Sequence, residues 1–274
     1  MARRQWLGAI PYVVILLFYI GISEYETAQN PDQKLLPSVS RIVDKVYDYS
    51  VNPNEEISVP FLDKELSVPF LVADTFTSIR RVLLGISLAG FVGLVLGLSL
   101  GLIKTFRHLF GSLVTIAAVI PPITILPIIF MTVGVGERGI ILLIFIGTFL
   151  QITRDVELAV RAIPREYTTK AATLGATRRQ IVFRIFMPLT VPRLLDSIRI
   201  TLGAAWIFAI VAESVIGEVG LGYRIFLVRR FLGMDVIIPY ILWIGLIGFM
   251  MDRGIQGLLN WRYRWYANRS RAGA

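Results

Sequence analysis

Apolar residues along this 274-residue chain gather into long runs separated by short polar intervals. The runs approach the ~20 residues that an α-helix needs to cross a bilayer. Six spans are predicted, at 6–22, 79–103, 113–133, 140–152, 189–216 and 236–259. The fourth is short in apolar residues and extends towards Glu157; the fifth carries charges in its first half. Helices are expected because a lipid-exposed backbone must satisfy its own hydrogen bonds. The alternation of a barrel strand is missing from these runs.

The polar intervals are unequal. Between the fourth and fifth runs, residues 165–188 read REYTTKAATLGATRRQIVFRIFMP, with five basic residues including Arg178, Arg179 and Arg184. That is more chain than a return into the bilayer needs. Ala171, Ala172, Leu174 and Ala176 form a small-residue surface, and Gly175 allows a sharp turn. Ile181, Ile185 and the neighbouring phenylalanines form an apolar stripe at helical spacing, and Pro188 is expected to end the element. An outcrop of this kind suits docking on a partner groove or lying on the membrane surface, held by its arginines. Another long interval, 24–74, holds ten acidic and four basic residues. It contains SVSRIVDKVYDYSV, an amphipathic helix pattern, and then repeats SVPFL, which suggests a small hairpin.

Two runs carry unusual residues. In the third, Pro121, Pro122 and Pro127 flank Thr124 and remove amide donors from the helical ladder. Interrupted spans point to a transport path. In the fifth, Asp196 and Arg199 are three apart and can pair, while Gly203, Ala204 and Ala205 allow close helix packing. Glu213 lies further along, and an ionisable residue in a span is a functional candidate. It reads as a partner for a basic residue or for backbone amides, with Arg224 a candidate. The loop at 217–235 contains Gly220 and Gly222, then Arg224, Arg229 and Arg230. No P-loop Lys-Ser/Thr follows the glycines, so nucleotide binding is not expected. The arginines can attract an anion, meet an acidic partner, or form a solvated rim.

Composition agrees with a membrane protein: 55% of residues are hydrophobic and mean hydropathy is +0.68. The formal charge is +9, from 28 Lys+Arg against 19 Asp+Glu. In a many-span protein such an excess collects on the cytoplasmic side, so no nucleic acid partner is implied. Placing both termini in the cytoplasm puts Arg3, Arg4, Lys104, Arg107, residues 154–193 and the basic tail on that side. The loop at 217–235 is the exception. There is no cysteine, so disulfides and thiolate chemistry are excluded. The one histidine, His108, is expected in a polar gap as a solvated residue rather than a metal ligand. The N-terminus is similar to a signal peptide, but its long apolar stretch favours an uncleaved span.

Two motifs carry a family resemblance. Gly175, nine residues, then Ile185-Phe-Met-Pro188 resembles the cytoplasmic EAA loop of ABC importer permeases. The positions of the family's E-A-A fall on Thr169, Lys170 and Ala171, so the glutamate and first alanine are missing and Met187 replaces a leucine. Pro121-Pro122, four residues, Pro127, six residues, then Gly134-Val-Gly136-Glu137 resembles the nitrate/sulfonate/taurine/bicarbonate branch, over most of residues 35–260. Leu36-Pro37-Ser38 before the amphipathic helix also fits this branch.

The resemblance implies an all-α membrane protein with six transmembrane helices, in the type I ABC importer (MetI-like) permease fold. It would be divided into an N-terminal helix (1–23), an outer segment (24–74), a permease core (75–260) with coupling helices at 165–187, and a tail (261–274). It implies a translocation subunit rather than an enzyme, in the bacterial inner membrane. The partners implied are a second permease subunit, two cytoplasmic ATPases that bind ATP and Mg, and a periplasmic or lipid-anchored solute-binding protein; membrane lipid surrounds the chain. No cofactor is expected in this chain. Coupling is assigned by resemblance to Thr169, Lys170, Ala171, Ala172, Leu174, Gly175, Ala176, Ile185 and Pro188. Pro121, Pro122, Thr124, Pro127 and Glu213 are candidates for the path or gate, and Gly220, Gly222 and Arg224 for the outer loop. A small anion is the expected cargo. An ion-coupled secondary transporter remains the alternative, and a membrane enzyme or scaffold would need grouped His, Asp or Ser that the chain does not show.

Overall fold

A computed structural model of the chain describes residues 10–29, 35–58 and 65–266. Helix α1 covers Ile10–Gln29, α2 Val39–Val51, α3 Phe70–Leu102 and α4 Lys104–Ala117. A 3-10 turn at Pro122–Ile125 leads into α5, Leu126–Val133, and then α6, Glu137–Arg161. Helix α7 is Arg165–Thr173, α8 Arg178–Ile181, α9 Met187–Ile216, α10 Leu221–Arg229 and α11 Met234–Arg262. The expected hairpin is present: β1, Pro53–Ser58, pairs antiparallel with β2, Glu65–Pro69. The amphipathic pattern becomes α2, so both elements of the 24–74 segment form as expected. Arg3, Arg4 and the tail arginines beyond residue 266 lie outside the described residues, as does the start of the first span.

Among the described residues, four helical stretches are long and apolar enough to cross a membrane: Phe70–Leu102, Glu137–Arg161, Arg178–Ile216 and Met234–Arg262. A fifth counts if the bent pair Lys104–Ala117 and Pro122–Val133 is one span. The span placed at 113–133 is interrupted at its prolines as expected, but its start is corrected. Its helix starts at Lys104, so Lys104, Arg107 and His108 belong to α4 rather than to a gap. It then turns by 89° at the prolines. Before the break the amides of Val119 and Ile120 reach back only three residues, to Ile116 and Ala117 (3.1 and 3.2 Å). Pro121 and Pro122 have no amide to continue the ladder.

The contacts divide the chain into two compact units, residues 1–77 with 218–245, and residues 78–217 with 246–274; the boundaries fall inside α3, between α9 and α10, and inside α11. In the first unit, Ser23 and Tyr19 on α1 both donate to the Pro37 carbonyl (2.6 and 3.1 Å), which fixes the approach to α2. Tyr49 of α2 packs against Phe70 and edge-on to Tyr240. The second unit is built on α6, which packs extensively on α9. Ala89, Ile152, Val156, Val160, Phe186 and Leu194 form its buried cluster.

Candidate functional site

The 165–188 segment is a helix–turn–helix. Helix α7 ends at Thr173, and Gly175 turns the chain at φ 78°, in the left-handed region that glycine enters without Cβ strain. Thr177 then opens α8 with a capping box: its hydroxyl accepts from the Gln180 amide, and the Gln180 side chain accepts from the Thr177 amide. The turn presents Leu174 at 88% exposure, with Thr169, Lys170 and Ala172 also exposed and Ala171 and Ala176 half-buried. The sharp turn expected at Gly175 and the small-residue surface are both in place.

Two expectations for this segment are corrected. Pro188 does not end the element: it sits in the first turn of α9, and helix continues from Arg178 to Ile216. A π-helical stretch, Val182–Phe186, directly precedes it. Widening the turn gives room for a ring that lacks an amide proton. The apolar stripe is not free for a partner either. Phe186 is buried and Ile181 packs against the cluster formed with α3 and α6. Ile185 is half-buried, and Phe183 alone of the two phenylalanines faces outward, under the Arg179 guanidinium 5.9 Å from its ring.

The broken span presents an exposed face. Pro121, Thr124 and Pro127 are exposed and Pro122 is half-buried. The Thr124 hydroxyl and amide both donate to the Pro121 carbonyl (2.7 and 3.0 Å), closing the turn left by the missing amides. Glu137 begins α6 and pairs with Arg80 of α3.

Glu213 is fully buried, so it is held inside the helix packing rather than presented to a path. Its carboxylate accepts from the Ser78 hydroxyl (2.8 and 2.9 Å) and from Arg81 (3.0 Å). The basic partner expected from the sequence thus includes Arg81, which sequence spacing did not reveal. Arg224 also departs from expectation. It is buried at 6% exposure, not on an outer rim, so it cannot steer a dissolved anion. Its Nε lies 2.9 Å from the Asp74 carboxylate, which also accepts from the Gly220 amide and the Tyr240 hydroxyl (2.9 and 3.0 Å). The Arg224 guanidinium also stacks 4.0 Å from the Phe70 ring centre. Gly220 and Gly222 are buried beside it, and of the loop's arginines Arg229 and Arg230 are the exposed ones.

The Asp196–Arg199 pair forms as expected, at 3.4 Å, and Asp252 of α11 joins it at 2.8 Å. Tyr266 donates to Asp196 (3.1 Å) under the Arg193 guanidinium. Burial first, then the Asp196 charge, raise the Tyr266 phenol above its ordinary value, so it stays a donor.

The described residues thus include both a broken span and a capped helical outcrop. Residues 89–264 match the family model described as binding-protein-dependent transport system inner membrane component. The chain belongs to this family. A protein of Methanocaldococcus jannaschii described as an ABC transporter permease is 34% identical over 71% of this chain and 73% of its own length. A nitrate import permease of Synechocystis is 28% identical over 81% of this chain and 78% of its own. An inward-facing structure of the MetNI methionine ABC transporter covers 73% of this chain and 99% of its own, at 25% identity and a TM-score of 0.53. The permease is thus a translocation component of the nitrate/sulfonate/taurine/bicarbonate branch rather than an enzyme, with the MetI-like fold.

Proposed function

We propose that this permease works as one of a pair in an ATP-driven importer, and that the turn at Leu174–Gly175 is where a separate ATPase drives it. The observation that carries the reading is Leu174. Leu174 stands at 88% exposure on a capped, glycine-hinged tip, flanked by the small side chains of Ala172 and Ala176 that leave room for a partner to close on it. A partner groove suits that shape. The segment's register with the EAA pattern, Gly175 to Ile185 and Pro188, supports the same assignment. The partner ATPases bind ATP and Mg; the permease itself passes force from the tip to the helix that continues to Ile216.

In this reading six helices span the inner membrane: α1, α3, the bent α4–α5 pair, α6, α9 and α11. Both termini are cytoplasmic. A periplasmic or lipid-anchored binding protein delivers the solute to the outer face. The exposed face around Pro121, Thr124 and Pro127 borders the path. A small anion is the cargo, supported by the nitrate import relative and by Arg229 and Arg230, the two exposed arginines of the outer loop.

Leu174→Glu tests the tip. The residue makes no buried contact, so insertion and thermal stability should match wild type. ATP hydrolysis by the assembled importer should lose its stimulation by the loaded binding protein. Gly175→Asp should act the same way, because aspartate tolerates left-handed backbone better than most residues. Unchanged stimulation in both variants would reject the tip as the docking point.

A further inference from the structure

A groove of about 840 Å³ runs between the end of α3 and the α8–α9 element. One wall carries Leu98 and Leu102; the other carries Ile181 and Phe186. The volume lies within the ~300–1,000 Å³ that holds a ligand of small-molecule size. The wall offers no free polar handle, because the Ser99 hydroxyl donates to the Val95 carbonyl (2.8 Å). Charge is confined to Lys104 and Arg178, and no acidic residue lines the groove.

Those two cations flank the groove from the two sides that form it. Lys104 follows the last residue of α3 by two positions, and Arg178 opens the 39-residue helical stretch to Ile216. Both line the groove together with its apolar walls, so positive charge and apolar surface meet in one place. We infer that the groove holds an acyl chain of an anionic phospholipid, with its headgroup phosphate between Lys104 and Arg178. Basic pockets between transmembrane helices bind such headgroups. A zwitterionic lipid brings an ammonium towards two cations with no acid to receive it. Free phosphate satisfies the cations but leaves the apolar walls uncovered, and a helix of a second copy fills the walls but leaves the cations unmatched. The inference depends on membrane insertion alone, not on how the chain is coupled to ATP.

Native mass spectrometry of the full-length permease in detergent tests it, with dioleoylphosphatidylglycerol and dioleoylphosphatidylcholine as probes. Phosphatidylglycerol should be retained more tightly. Lys104→Gln and Arg178→Gln should each weaken it about fivefold, from the interaction of one cation with an anionic lipid surface, and leave phosphatidylcholine unaffected. Leu98→Trp, which fills the groove, should weaken both. Equal retention of the two lipids overturns the site. So does phosphatidylglycerol binding that is unchanged in the double variant, displacement by millimolar inorganic phosphate, or a Leu98→Cys variant that crosslinks to a second copy through the groove.

Discussion

Glu213 has no exposed surface, and its carboxylate accepts from the Ser78 hydroxyl, shared between its two oxygens, and from Arg81 in place of water. A buried carboxylate of this kind is held by its partners, and removing one leaves an uncompensated charge that costs about 3–5 kcal/mol. Arg81→Ala should therefore destabilise the permease strongly, read as a fall in its thermal unfolding temperature in detergent. Pairing it with Glu213→Ala should recover part of the loss, because the orphaned charge goes too. An additive double variant would mean that the two groups do not sense each other. The sequence shows why a buried glutamate needs a cation but not which one: Arg81 stands 132 positions away, and nothing in local spacing links the two. Asp74 and Arg224 are 150 positions apart and equally hidden. By contrast, Asp196 and Arg199 share one helical turn, so their pairing is visible in the spacing itself.

Helix α3 lies against α6 along a face of glycines. A Cβ on Gly97 would lie 2.5 Å from a Val156 methyl and 2.7 Å from the Thr153 carbonyl oxygen. Gly93 faces Ile152 and Gly101 faces Val160 in the same way. Four-residue spacing puts all three on one side of the helix, where small residues let helices approach in lipid. Gly97→Leu should separate the pair, and even Gly97→Ala should cost on the order of 1–3 kcal/mol through overpacking. The check is the folded fraction after heating, by fluorescence-detected size exclusion. Gly203→Ala should be silent, because nothing lies within 4 Å of its added Cβ. The sequence points close packing at Gly203–Ala205, yet only Ala205 of the two ends is buried. Small residues mark every face a helix can offer a neighbour; which face is used within the chain depends on the partner helix. The prolines at 121, 122 and 127 were more informative, because a missing amide acts on its own backbone. They locate the break, while its 89° angle follows from packing that no local pattern encodes.

At the scale of the molecule, the reading turns on which side of the membrane each end of the bundle faces. In the proposed orientation the tip at Leu174 is cytoplasmic and the loop carrying Phe231 lies on the other side of the membrane. Both side chains are exposed, at 88% and 70%, so both sites accept a label without disturbing a core. The natural chain has no cysteine, which makes each introduced thiol unique. Leu174→Cys should react with a membrane-impermeant maleimide only in inverted vesicles, and Phe231→Cys only in right-side-out ones. A thiol at 174 that reacts from the outside would remove the tip from reach of any cytoplasmic ATPase. Proteoliposomes then separate the energy sources. Uptake by the assembled importer should need ATP on the side that exposes position 174 and should survive dissipation of ion gradients. Uptake driven by an ion gradient alone would instead favour secondary transport. In that case the bend at Pro121–Pro122 would still mark the path, but the outcrop would have no engine to receive.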